Sequence, residues 1–137
     1  MNEAKETAAA SETARFELLE EEQVLDRRTG LIWTRADVPG GPMDWKAAQA
    51  ACAALELGGV RTWRLPTVEE LFCLADRARY SPAIDPVFEC ASDFYWTSTP
   101  AAYSPGVYAW VVGFLAGDSF WRHQSYDYPV RAVRSSQ

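Results

Sequence analysis

The sequence predicts an α+β fold with a mainly antiparallel sheet, and three observations predict it. Short strand-like runs open the chain, two amphipathic helical stretches fill its middle, and strand-like runs return from Phe94 to the end. Strands and helices segregated in this way, rather than alternating, mark an α+β arrangement. The 137 residues suit one ordinary domain, and an apolar content of 48% suffices for a sizeable core.

The elements follow in order. Residues 1–14 are rich in Ala, Glu, Thr and Ser with few apolar anchors, so they read as a disordered tail, with a single domain over 15–137. A strand is expected near Arg15–Leu19, interrupted by Glu20, Glu21 and Glu22. Gln23–Asp26 and Leu31–Thr34 flank a turn ending in Gly30, which makes a hairpin. Pro39-Gly40-Gly41-Pro42 is a loop. Asp44 caps a first helix over about 44–57, whose buried face is Trp45, Ala48, Cys52 and Leu55, with Gly58-Gly59 as its stop. Thr67 and Glu70 form a capping box for a second helix running to about Arg79, with Val68, Leu71, Phe72 and Ala75 inward. Pro82 and Pro86 punctuate the connection that follows.

Beyond it, Phe94–Thr99 reads as a strand and Pro100–Gly106 as a loop. Tyr108–Leu115 is apolar on both faces and is expected to be central in the sheet. Ser119–Arg122 returns after a turn, 124–128 is a loop, and Val130–Arg134 closes the chain as an alternating strand.

Charge excludes several functions. The net charge is −6; of nineteen acids and thirteen bases, seven and two lie in residues 1–22, leaving twelve and eleven for the rest. A nearly neutral folded part has no basic stripe for nucleic acid. No apolar run is long enough for membrane insertion. The opening Met1–Thr7 has neither a basic nor an apolar leader region, so the chain as written reads as cytoplasmic; surface or virion display would need another route or a removed leader. Cys52, Cys73 and Cys90 lack Cys-x-x-Cys spacing and read as buried small hydrophobes. One disulfide between two of them, or a zinc site with the only histidine, His123, are the alternatives. No metal or cofactor is expected.

Several stretches together resemble a known family. They are Arg15-Phe16, Val24-Leu25-Asp26, Thr29-Gly30-Leu31-Ile32-Trp33, and Trp45 with Ala48 and Cys52. Trp63-Arg64-Leu65-Pro66-Thr67, Glu70-Leu71 and Tyr95-Trp96-Thr97-Ser98-Thr99 continue the pattern. Ala109-Trp110 with Val112, Phe114 and Gly117, then Val130-Arg131-Ala132-Val133-Arg134, complete it. The chain resembles the family named for the C-terminal domain of Legionella collagen-like protein. That resemblance implies a C-type-lectin-like fold: two helices flanking a twisted antiparallel sheet, termini close together, and a ligand face built by the last loops and strands. Some members are adhesins for polyanionic glycans. Similar folds include the variable proteins of diversity-generating retroelements. As written, the sequence reads as departing from the adhesins, with no export signal, collagen-like stalk or basic surface expected from it.

The candidate ligand-binding residues are Asp118, Phe120, Trp121, Arg122, His123, Tyr126, Asp127 and Tyr128, with Tyr103 and Tyr108 beside them. Tyr, Trp and Arg dominate binding hot spots because they give large contact area at low entropy cost. Against this stands a surface hairpin whose rings merely pack on one another. Arg64 is expected to tie loops together through carbonyls or a carboxylate, and Trp96 and Trp110 are expected in the core.

The calcium-binding tripeptides of sugar-binding lectins are absent, and Asn2 is the only Asn. His123, Ser125 and Asp127 alternate in sequence, which need not make them converge as a triad. The leading expectation is therefore a non-catalytic module for a protein or glycan ligand, the retroelement variable protein being its most specific form. A homo-oligomeric assembly subunit that uses the aromatic face, and an enzyme of the formylglycine-generating type, are the alternatives.

Overall fold

A computed structural model describes residues 14–136; the expected tail over 1–14 lies outside them except for Ala14. Seven strands and two helices are present among the described residues. Strands β1 (Phe16–Leu19), β2 (Gln23–Asp26) and β3 (Leu31–Thr34) form an antiparallel meander, and β7 (Val133–Ser135) pairs with β3 to close it. Strands β4 (Phe94–Pro100), β5 (Tyr108–Gly113) and β6 (Asp118–His123) form a second antiparallel sheet with β5 in the middle. The fold is α+β, as expected, with two antiparallel sheets rather than one.

Alternation along the strands explains why both faces are packed. Ile32, Trp96 and Val111 enter one core cluster, with Ala48 and Cys52 of α1 (Trp45–Ala54). Their neighbours Trp33, Tyr95 and Val112 enter the other, with Leu71 of α2 (Val68–Phe72). The helices thus cover opposite faces. The apolar run at β5 is buried on both sides from Val111 onward, while Tyr108 and Trp110 at its start are only half-buried.

Both helix starts follow the sequence. The Asp44 carboxylate accepts the Ala47 N–H at 2.9 Å. Thr67 and Glu70 complete their capping box, through the Glu70 N–H to Thr67 Oγ1 at 3.2 Å and the Thr67 N–H to Glu70 Oε1 at 2.9 Å. Both ends are corrected. Helix α1 stops at Ala54, and Gly58-Gly59 is not its cap but a tight turn between Leu57 and Val60, with φ of 65° and 73°. Helix α2 stops at Phe72 instead of running to Arg79. Leu74 and Ala75 tighten to i→i−3 bonds, and the Asp76 N–H turns away to the Ala83 carbonyl at 2.8 Å.

The final segment differs from the expected alternating strand. Only Val133–Ser135 joins the ladder, and Val130, Arg131, Ala132 and Val133 are all fully buried. The Arg131 guanidinium donates to the carbonyls of Thr34, Arg35 and Glu89, and lies 3.6 Å from Asp37. It also stands over the rings of Phe88 and Tyr95. Tyr95 in turn donates its hydroxyl proton to Asp37 and accepts from the Ala91 N–H. One buried cation therefore gathers β3, β4 and the segment before β4.

Arg64 has the structural role expected of it. Its guanidinium grips the Glu70 carboxylate at 2.7 and 2.8 Å, while its backbone pairs with Val133. The Trp-Arg-Leu-Pro-Thr and Tyr-Trp-Thr-Ser-Thr stretches meet through Ser98 N–H to the Pro66 carbonyl and Val68 N–H to Thr99 Oγ1. These contacts fix β4, and through it the sheet carrying the candidate site.

Candidate functional site

Strand β6 is the outer strand of the second sheet, and its register on β5 decides where each candidate points. Tyr108 lies opposite His123 and Trp110 opposite Trp121. Positions two apart share a face, so Tyr108, Trp110, Trp121 and His123 lie on the α2 side with Val112. Phe120 and Arg122 point to the α1 side with Val111. The residues expected to form one surface are therefore divided between two faces of the sheet.

On the α2 side the rings form a continuous array. Tyr103 stacks near-parallel to Trp121, with centroids 6.3 Å apart and 13° between planes. Trp121 meets Trp110 edge-on at 5.4 Å, and Tyr108 meets His123 edge-on at 5.7 Å. Tyr126 extends the array beside His123 at 6.2 Å. Tyr103 is 77% exposed, Trp121 46% and Tyr126 53%. Trp110 is only half-buried, which corrects its expected place in the core; Trp96 is fully buried as expected.

Backbone contacts hold this array. The Gln124 side-chain amide donates to the carbonyls of Pro105 and Tyr108, clamping the 101–107 loop that carries Tyr103. The Tyr126 N–H closes a turn on the His123 carbonyl. His123 Nδ1 lies 2.8 Å from Ser125 Oγ and accepts the Ser125 N–H at 3.2 Å.

On the α1 side, Phe94 packs edge-on against Phe120 and Tyr128, and Tyr128 packs against Trp96. The Arg122 guanidinium stands over Phe94 at 4.8 Å and Phe120 at 5.0 Å. Burial pushes the Tyr128 phenol up against the lowering pull of Arg122. This group reads as a packed cap on the core, with Tyr126 linking it to the other face at 6.2 Å from Tyr128. A recess of about 320 Å³ between Phe94, Leu115 and Phe120 carries Asp93 and Asp118 on its wall.

Electrostatics separate the two sides. Of the ten expected residues, the charged Asp118 and Arg122 belong to the α1 side, and Asp127 sits in the exposed 124–128 loop. The α2-side array holds no Asp, Glu, Lys or Arg. Its indole N–H and phenol groups have no hydrogen-bond partner among the described residues, whereas Trp45, Trp63 and Trp96 each spend their N–H on a backbone carbonyl. Flat rings with unspent donors at their rims suit a neutral partner that offers apolar faces and hydroxyl or carbonyl groups.

Other groups do not converge. Ser125 reaches His123, but Asp127 makes no hydrogen bond or ion pair among the described residues, so the three do not form a relay. Cys52 is buried as expected, its thiol pushed up to about 12, but Cys73 is exposed and Cys90 only half-buried, which corrects the reading of all three as buried; all three are free thiols. No group of three or more His, Cys, Asp or Glu among the described residues could hold a metal ion. A hollow of about 670 Å³ near Ala14 is walled by Arg15, Arg28, Arg77, Asp76 and Asp85. Arg15 is taken by Asp26 and Arg77 by the Gly117 carbonyl, so its polar groups are largely spent. No helix among the described residues is long and apolar enough to cross a membrane.

Sequence reasoning placed Trp110 in the core and so left it out of the candidate set. The available signal was parity: Trp110 alternates with Ala109 and Val111, and its register places it opposite Trp121.

The family model for the Lcl C-terminal domain matches residues 22–134, most of the chain. This chain belongs to that family; Arg15 and Phe16, quoted for the resemblance, fall outside the matched stretch. No curated protein matches it.

Proposed function

We propose that this member of the Lcl C-terminal domain family is a non-catalytic ligand-binding module with a C-type-lectin-like fold. Its ligand, a glycan or a protein surface, lies on Tyr103, Tyr108, Trp110, Trp121, His123 and Tyr126. The observation that carries this reading is the stacked, exposed Tyr103–Trp121 pair. Large rings are costly to leave in water, and a contiguous exposed set in loops and on an outer strand is a recognition surface by default. Helices on opposite faces of antiparallel strands, with the array built by the last loops and strands, support the lectin-like reading.

An uncharged array disfavours a polyanion, whose capture needs several cations. The retroelement form of the proposal adds that the codons for 118–128 vary between cells, while those for the core do not. Sequencing the 3′ end of the gene across many isolates tests that form, and uniform codons refute it.

The test of binding is a broad glycan array probed at low and physiological salt, beside a Trp121→Ala/Tyr126→Ala double variant. Binding that survives salt and vanishes in the variant supports a glycan ligand on this face. Binding lost with salt but retained by the variant refutes the assignment. Silence from both proteins removes the glycan and leaves the protein ligand.

A further inference from the structure

We infer that the free edge of β6 pairs with β6 of a second copy, joining two of these domains through one continuous six-stranded sheet. This inference is independent of any ligand and goes beyond the binding face.

The argument starts from backbone parity. The Gln124 N–H donates to the Val107 carbonyl at 2.8 Å, so 107 and 124 are a hydrogen-bonded pair. Bonded pairs recur at every second position of an antiparallel ladder. Asp118, Phe120 and Arg122 therefore turn their peptide groups toward β5, and Ser119, Trp121 and His123 turn theirs outward. Two outward carbonyls confirm the parity. Trp121 O accepts from Arg122 Nη1 at 2.9 Å, and His123 O from the Tyr126 N–H at 3.1 Å. The outward N–H groups face no other strand, because β6 is the last strand of its sheet. An unpaired edge is a template for another strand.

Side chains select the occupant. An antiparallel partner must set outward-facing residues against outward-facing residues, so odd positions oppose odd positions. Centring a twofold on Phe120 places Ser119 opposite Trp121 of the second copy. Asp118 then faces Arg122 of the second copy, Arg122 faces its Asp118, and the two Phe120 rings meet on the axis. Centring on Ser119 sets Asp118 against Phe120, and centring on Trp121 sets it against Gln124. Only the Phe120-centred register matches acid with base on both sides of the axis, and opposed charges are what stabilise cross-strand pairs. The Asp118 carboxylate is available for this role, since it makes no hydrogen bond or ion pair among the described residues. The Arg122 guanidinium, which now blunts the edge by capping Trp121 O, would yield that carbonyl to the second copy's Ser119 N–H.

Pairing would bring the two Tyr103–Trp121 arrays onto one side of a shared sheet. A dimer of this kind would be bivalent toward a repetitive ligand. The strand edge is short, so association is weak and concentration-dependent.

Sedimentation of the full chain across a concentration series tests the inference. The wild type is expected to approach twice 15.3 kDa. Asp118→Arg and Arg122→Asp alone each set like charges together at both ends, weakening association by roughly tenfold or more. Mixed with each other, the two variants should associate again, because every cross pair is then opposite in sign. The double swap within one chain should restore the homodimer, and Ser119→Pro, which removes an outward N–H but no bond to β5, should abolish it. Circular dichroism establishes that each variant is folded, and a variant that is not folded leaves the double swap to decide. A wild type that stays monomeric throughout overturns the inference. Single variants that associate like wild type, or a mixture or double swap that fails to recover, overturn the register.

Discussion

Replacing Arg131 with Met is the sharpest test of what holds this fold together. The side chain is 0% exposed, and its guanidinium donates to three carbonyls, those of Thr34, Arg35 and Glu89. Met keeps the length of the stem, so the cavity left behind is small. The loss is polar. Hydrogen bonds from a charged donor contribute about 1.5–3 kcal/mol each. The Arg35 carbonyl keeps a second donor, the Glu89 N–H at 2.9 Å, so it loses least. Asp37 loses its cation but keeps the Tyr95 hydroxyl. Desolvating the guanidinium already offsets part of what it contributes. A net cost of about 4 kcal/mol follows, a large share of the ~5–15 kcal/mol that a domain has. Urea unfolding followed by tryptophan fluorescence measures it. Arg64→Met is the control: its half-exposed pair with Glu70 is screened by solvent and should cost about 1 kcal/mol or less. A loss at Arg131 no larger than at Arg64 would refute the reasoning.

Three further predictions can be checked on the same protein. Burial pushes the Asp26 carboxyl up, but the bonds from Arg15 and the Arg28 N–H outweigh it and hold the group below its ordinary range. A depressed folded pKa stabilises fully above the unfolded value of about 3.9 and is lost as pH falls through the folded one. Asp26→Asn should therefore cost about 2 kcal/mol at neutral pH and flatten the acid limb of a stability–pH curve, which urea melts from pH 2 to 7 would reveal. At Gly58, with φ of 65°, a Cβ would stand 2.3 Å from Gln23 Nε2, so Gly58→Ala should destabilise by about 2 kcal/mol in thermal melts. Iodoacetamide on the native chain should label Cys73 first and leave Cys52 untouched until unfolding, as mass spectrometry of digests would report.

Much of the fold was legible because local chemistry and burial agree. Asp44, Thr67 with Glu70, and the turn ending at Gly30 each specify an element by short-range hydrogen bonds or backbone freedom. What was not legible depended on distant partners. Asp76 leaves the helical pattern because the Ala83 carbonyl waits for its N–H. Val130–Arg134 reads as an alternating strand, yet three carbonyls from remote segments draw Arg131 inside. The candidate site was found as a stretch of sequence but not as a geometry. Alternation along β6 sends Trp121 and His123 to one side and Phe120 and Arg122 to the other, and only the register on β5 says which side meets Tyr103.

The most direct test of the ligand face compares its two sides in one titration. The first glycan or protein found to bind would be titrated calorimetrically against wild type, Trp121→Ala/Tyr126→Ala, and Phe120→Ala/Arg122→Ala. The account predicts at least a tenfold loss for the first variant, from two truncated aromatic contacts of more than about 1 kcal/mol each, and little change for the second. Loss confined to the second variant, or binding untouched by the first, would contradict it.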